Sequence, residues 1–112
     1  MRILVCGGRK FLNYDLVKRT LDKYLCPDLV IIHGCQRGAD SLANAWAFEN
    51  KVATDPYPAE WKKYGPMAGT IRNQQMIEEG KPDLIIAFVG GTGTNDMKER
   101  GRKTRIEVKE IV

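Results

Sequence analysis

Residues 83–97, DLIIAFVGGTGTNDM, constrain the fold more than any other stretch of the chain. Leu84, Ile85, Ile86, Ala87, Phe88 and Val89 are apolar without interruption, as in a strand buried on both faces. The run passes directly into Gly90, Gly91, Thr92, Gly93 and Thr94, a turn with no bulk and many polar groups. A helix is predicted to start at Asn95. A strand, a glycine-rich turn and a helix N-terminus together form a cradle for an anion. The backbone comes close, its N–H groups are free, and the helix dipole favours negative charge.

The same pattern occurs twice more. Arg2–Cys6 (RILVC) predicts a first strand that runs into Gly7, Gly8 and Arg9. Leu29–His33 predicts a second, followed by Gly34, Cys35, Gln36, Arg37, Gly38, Ala39 and Asp40. Between them, Asn13 is placed to cap a helix with Asp15 in its first turn. Leu16, Val17, Thr20, Leu21, Tyr24 and Leu25 give that helix one apolar face, and Pro27 stops it. Leu42, Ala43, Trp46 and Ala47 mark the next helix, whose small residues suit close packing on a sheet. Val52–Tyr57 is a weaker strand cut off by Pro56 and Pro58, and Glu60–Tyr64 has no clear period. Met67–Glu79, which carries Arg72 and Asn73, predicts a helix ended by Gly80 and Pro82. A basic helix to about Arg102 and a short strand within Arg105–Ile111 complete the chain. Strands and helices alternate throughout. The expected class is α/β: a three-layer Rossmann-like parallel sheet of about five strands with helices on both faces, in one domain over 1–112.

At 112 residues and 43% hydrophobic composition the chain is suited to one packed core. No apolar run approaches the roughly 18 residues of a membrane span, and a soluble cytoplasmic protein is expected. Cys6, Cys26 and Cys35 are odd in number and form no CxxC, so a disulfide framework is not expected; small buried residues are. His33 and Cys35 lack a second ligand pair, and neither a metal nor a cofactor is expected. The net charge of +4 suits a phosphate-bearing partner. Lys98, Arg100, Arg102, Lys103 and Arg105 carry much of the excess, read first as a solvated helix face.

In an open parallel sheet, ligands bind beyond the C-terminal strand ends, where the strand order reverses. For the order 3-2-1-4-5, Gly7–Arg9 would lie beside Gly90–Thr94, with Gly34–Asp40 one strand away. The candidate ligand residues are therefore Gly7, Gly8, Arg9, Gly34, Arg37, Arg72, Gly90, Gly91, Thr92, Gly93 and Thr94. The loop residues offer N–H and hydroxyl groups, and the guanidinium forks match phosphate oxygens. Arg72 reads equally well as a surface helix residue. Asp40 and Asp96 fall at helix starts, and Asp40 is expected to cap. His33 is expected to be packed rather than to move protons. Neither GxGxxG nor GxxxxGK[ST] occurs.

The segments CGGR at 6–9, HGCQRGAD at 33–40, PAEW at 58–61, AGTIRNQQM at 68–76 and PDLIIAFVGGTGTNDM at 82–97 occur in order across nearly the whole chain. Together they resemble the YspA-type, cpYpsA-related branch of the SLOG superfamily. The resemblance implies a Rossmann-like fold, a nucleotide or ADP-ribose-like ligand, and an origin among phages or mobile elements. It also implies a homodimer or higher homo-oligomer in which helices complete the neighbour's site. The more distant Lonely Guy phosphoribohydrolases carry RKxxM and PGGxGTxxE. Arg72 and Met76 match the first motif with Asn73 in place of lysine, which adds Asn73 to the candidates; Gly90, Gly91, Gly93 and Thr94 match the second. Val89 replaces the proline, and Met97 stands where the catalytic glutamate should be. A thioether neither accepts a proton nor stabilises a developing positive charge. The leading expectation is a protein that binds its nucleotide-like ligand as sensor, carrier or sequestering agent. The alternative is an N-glycosidase with Asp96 as its acidic residue. Binding of single-stranded DNA ranks third, since Trp46, Tyr57, Trp61 and Tyr64 are scattered.

Overall fold

The computed structural model describes residues 1–112. Its strands are β1 Arg2–Cys6, β2 Val30–His33, β3 Ala53–Pro56, β4 Leu84–Ala87 and β5 Glu107–Glu110. The helices are α1 Tyr14–Leu21, α2 Ala39–Glu49, α3 Trp61–Tyr64, α4 Ala68–Glu78 and α5 Thr92–Lys103, with 3₁₀ turns at Asp22–Tyr24 and Gly65–Met67. The sheet is wholly parallel, in the order β3-β2-β1-β4-β5. In register, Leu4 of β1 lies between Ile32 of β2 and Ile85 of β4.

Alternation along the central strands explains the three layers. Ile3, Val5, Ile31, Leu84 and Ile86 point to one face, where Val17 and Leu21 of α1 and Ala43, Trp46 and Ala47 of α2 cover them. Leu4, Cys6, Ile32, Ile85 and Ala87 point to the other, under Met76 and Ile77 of α4 and Met97 of α5. Each fully buried Ile or Leu contributes about 1.5–3 kcal/mol. The edge strands β3 and β5 are largely exposed, which is why their sequence signals are weak. Asn13 caps α1 as expected, accepting a 3.0 Å hydrogen bond from the Leu16 N–H.

Two expectations need correction, and one segment without an assignment gains one. Helix α5 starts at Thr92 rather than Asn95, so Gly93 and Thr94 belong to its first turn. The segment 60–64 without a clear period forms α3. Of the cysteines only Cys6 is buried; Cys26 and Cys35 are exposed. Burial pushes the Cys6 thiol up to about 12, with Asp40 adding to the shift, so it is an inert packing group. No helix is long and apolar enough to cross a membrane.

Candidate functional site

The switch point lies between β1 and β4, and the loops that leave these strands are tied together. The Gly8 N–H donates to the Val89 carbonyl at 2.9 Å. A Cβ on Gly90 would stand 2.7 Å from the Gly8 nitrogen and collide with Thr94 Oγ1, so this crossing has no room for a side chain. The loop after β2 is held to the same place. The Gly8 carbonyl accepts hydrogen bonds from the Ala39 N–H at 3.3 Å and the Phe11 N–H at 3.2 Å. Gly38, the N-cap of α2, has φ 83° and ψ −130°, a conformation open essentially to glycine alone. A Cβ there would fall on the Gly8 carbonyl oxygen.

The three loops and α4 enclose a cleft of about 640 Å³. Its walls include Gly7, Gly8, Arg9, Arg72, Asn73, Gly91, Thr92, Gly93, Thr94 and Asp96, ten of the residues singled out from sequence. Gly34, Arg37 and Gly90 do not line it. Gly90 forms the crossing beneath it, while Gly34 and Arg37 line an adjoining groove of about 360 Å³. Helix α5 points its N-terminus at the cleft. No side chain caps it, and the Thr92, Gly93 and Thr94 N–H groups have no acceptor within the protein.

Arg72 is only 6% exposed, not a surface helix residue. Its Nη1 donates to the Gly34 carbonyl at 2.6 Å and its Nε to Asn73 Oδ1 at 3.1 Å. No carboxylate lies within ion-pair distance of its guanidinium. Burial moves Arg72 below the ordinary guanidinium value; Asp40 opposes the shift and Arg9 adds to it. The group still carries its charge at neutral pH. Asn73 in turn donates to the Gly93 carbonyl at 3.3 Å and to Asp96 Oδ2 at 3.0 Å, which ties α4 to the first turn of α5.

Asp40 does not cap its helix, because α2 begins before it and Gly38 holds the cap position. Its Oδ2 instead accepts from the Gly34 N–H at 2.8 Å and the Gln36 N–H at 3.4 Å, bracing the loop after β2. Burial raises its carboxyl above the ordinary value of 3.8, against the pull of these two hydrogen bonds, His33 and Arg72. The native state therefore holds this proton more firmly than the unfolded chain does. The stability Asp40 contributes is fullest below the ordinary value and is lost as pH rises through the window up to the raised one. In chemical denaturation series, the stability of the wild type minus that of Asp40→Asn should fall as pH rises from the ordinary value through the raised one and then level off. A difference that rose there would refute the assignment.

Asp96 shifts the other way. Burial raises it, but the hydrogen bonds from Arg100 Nε (2.7 Å) and Asn73, with the Arg100 charge, hold it below the ordinary carboxylate value. Met97, in the position of the glutamate, is 1% exposed and packs with Leu4, Ile85 and Met76. His33 is 5% exposed; its Nε2 pairs with Asn44 Oδ1 at 3.1 Å and its Nδ1 accepts the Cys35 N–H at 3.1 Å. It is a packed strut.

Trp61, Gln36 and Thr70 also line the cleft, and sequence reasoning did not select them. Trp61 had two signals, its place at the end of the PAEW segment and its aromatic ring, while Gln36 and Thr70 were marked only by lying within the HGCQRGAD and AGTIRNQQM segments.

Fold and cleft define a Rossmann-like protein with an open cleft at the β1–β4 switch point. A family model for the YspA, cpYpsA-related SLOG family matches residues 1–64, more than half of the chain. The Gene 61 protein of Mycobacterium phage D29 is 32% identical over 117 residues, covering 96% of this chain and 93% of that protein. The chain belongs to the YspA, cpYpsA-related SLOG family.

Proposed function

We propose that the protein binds a nucleotide or nucleotide-derived ligand and does not turn it over, acting as a sensor, carrier or sequestering protein. The observation that carries this reading is Arg72: a buried guanidinium with no carboxylate partner, on the wall of the cleft. A buried charge without an ion-pair partner is costly even when hydrogen-bonded, and a phosphate would supply that partner. The uncapped N-terminus of α5 and its free N–H groups supply the rest of an anion site. Family membership supports a nucleotide-like ligand, and the mycobacteriophage relative supports a phage or mobile-element setting.

Two observations favour binding over cleavage. Methionine occupies the place of the glutamate and is built into the core. Asp96, the remaining acid near it, is engaged by Arg100 and Asn73. Ion pairs also partly neutralise the clustered cations at α5, which weighs against DNA binding. Lys98 and Arg102 pair with Glu110, Arg100 with Asp96, and Lys103 with Glu99.

The test is to incubate the protein with nucleoside monophosphates and NAD-type compounds, then compare free base released with intact ligand recovered after denaturation. Native mass spectrometry of freshly purified protein would report a co-purified ligand. Intact recovery is expected. Base release that Asp96→Asn abolishes would establish the N-glycosidase reading instead.

A further inference from the structure

The cleft does not end at Arg72. It continues into the groove beside Arg37, and the two spaces share Arg9, Gln36, Trp61 and Arg72. Charge is distributed unevenly around this second space. Of the eight arginines in the chain, Arg2, Arg19, Arg100 and Arg102 are paired with carboxylates; Arg9, Arg37, Arg72 and Arg105 are not. Three of the unpaired four border the groove, which has no carboxylate in its walls. Their proximity is built in, because the packing of Gly38 against Gly8 and the Arg9 backbone fixes the two arginine-bearing loops side by side.

Trp61 stands at the join. It is 48% exposed, a large apolar surface left open to solvent. One edge rests near Gly69, where a Cβ would lie 3.5 Å from Cη2. An exposed indole beside guanidinium groups is a surface for a flat, electron-rich ring, and bases stack on aromatic side chains irrespective of sequence.

We propose that Trp61 is a base-stacking plate and that the Arg9–Arg37 groove is a second anion subsite, so that the ligand is a nucleotide bearing two separated phosphate groups. This rests on the nucleotide-binding reading above and specifies its ligand. One phosphate occupies the cleft at Arg72 and the N-terminus of α5; the base lies against Trp61; the other phosphate reaches Arg37. Two sources share this chemistry, a nucleoside 3′,5′-bisphosphate and a 5′-phosphorylated dinucleotide.

Titration calorimetry with AMP, adenosine 3′,5′-bisphosphate and 5′-phosphorylated diadenylate separates the outcomes. The wild type should bind at least one two-phosphate probe about tenfold or more tightly than AMP, and the better probe identifies the source. Arg37→Gln, at an exposed position, should remove that advantage, with the loss for the two-phosphate probe exceeding any loss for AMP. Lys23→Gln, an equal charge change at a residue that lines neither the cleft nor the groove, should leave it intact. Trp61→Ala should weaken every probe. If AMP binds as well as both two-phosphate probes, or Lys23→Gln acts like Arg37→Gln, the second subsite is overturned while nucleotide binding stands. If no probe binds, both readings fall.

Discussion

Arg72→Met should weaken binding of a phosphate-bearing nucleotide by about 10- to 150-fold, the equivalent of losing a charge-assisted hydrogen bond of about 1.5–3 kcal/mol. It should also lower stability, because the Gly34 carbonyl loses the donor that now reaches it at 2.6 Å. An unsatisfied buried carbonyl accounts for about 1–3 kcal/mol. The two effects separate with Arg72→Lys. An ammonium restores the charge without the planar fork that spans Gly34, Asn73 and the cleft. Calorimetric titration together with urea unfolding of the three proteins gives both numbers. Unchanged affinity in Arg72→Met would remove the observation on which the binding reading stands. The result also bears on Gly34, which lies between Arg72 and Asp40. A Cβ there would be 2.5 Å from Arg72 Nη1 and 3.0 Å from Asp40 Oδ2. The buried cation and the buried acid are therefore held apart by one glycine, close enough to influence each other's proton without forming an ion pair.

Gly38→Ala should be the most damaging single-methyl change at the site. A non-glycine residue in this backbone region costs about 1–3 kcal/mol in strain. The methyl also runs into the Gly8 carbonyl and the backbone of Arg9, and overpacking of that kind costs a further 1–3 kcal/mol or so. A total loss of about 2–6 kcal/mol is expected in urea unfolding. Gly65→Ala is the matched control. Gly65 also has positive φ, at 58°, but nothing lies within 4 Å of an added Cβ. The difference between the two variants isolates the loop-to-loop contact from backbone strain. Equal losses would mean that the crossing of the 8–9 and 34–38 loops is not under compression. Where Gly38→Ala still folds, the separated loops should also bind nucleotide more weakly, since Gly8, Arg9 and Gln36 all line the cleft.

The core was legible because its signals are local. LIIA and ILVC are apolar on both faces, and in the folded chain they lie at the centre of the sheet with helices above and below. The start of α5 was misplaced because glycine and threonine are poor helix formers. Thr92, Gly93 and Thr94 read as loop, yet they form a first turn that Asn73 holds from the neighbouring helix. Asp40 was misassigned for a related reason: its partners, the Gly34 and Gln36 N–H groups, lie upstream of the helix it was expected to cap.

By itself the sequence determined the α/β class, the five strands and the glycine loops that follow three of them; the β1–β4 switch point rested on the order 3-2-1-4-5, which only the tertiary structure establishes. Class, strands and loops follow from hydrophobic period and turn chemistry, which act over a few residues. Only the tertiary structure decided what each charge does. Arg72 and Arg100 are both helix arginines in sequence, yet one is buried without a carboxylate and the other is paired with Asp96. Trp46 and Trp61 are both helix tryptophans, yet one is sealed in the core and the other is open at the mouth of the cleft. Burial and ion pairing depend on which segments the fold brings together across tens of residues, and no local pattern carries that information.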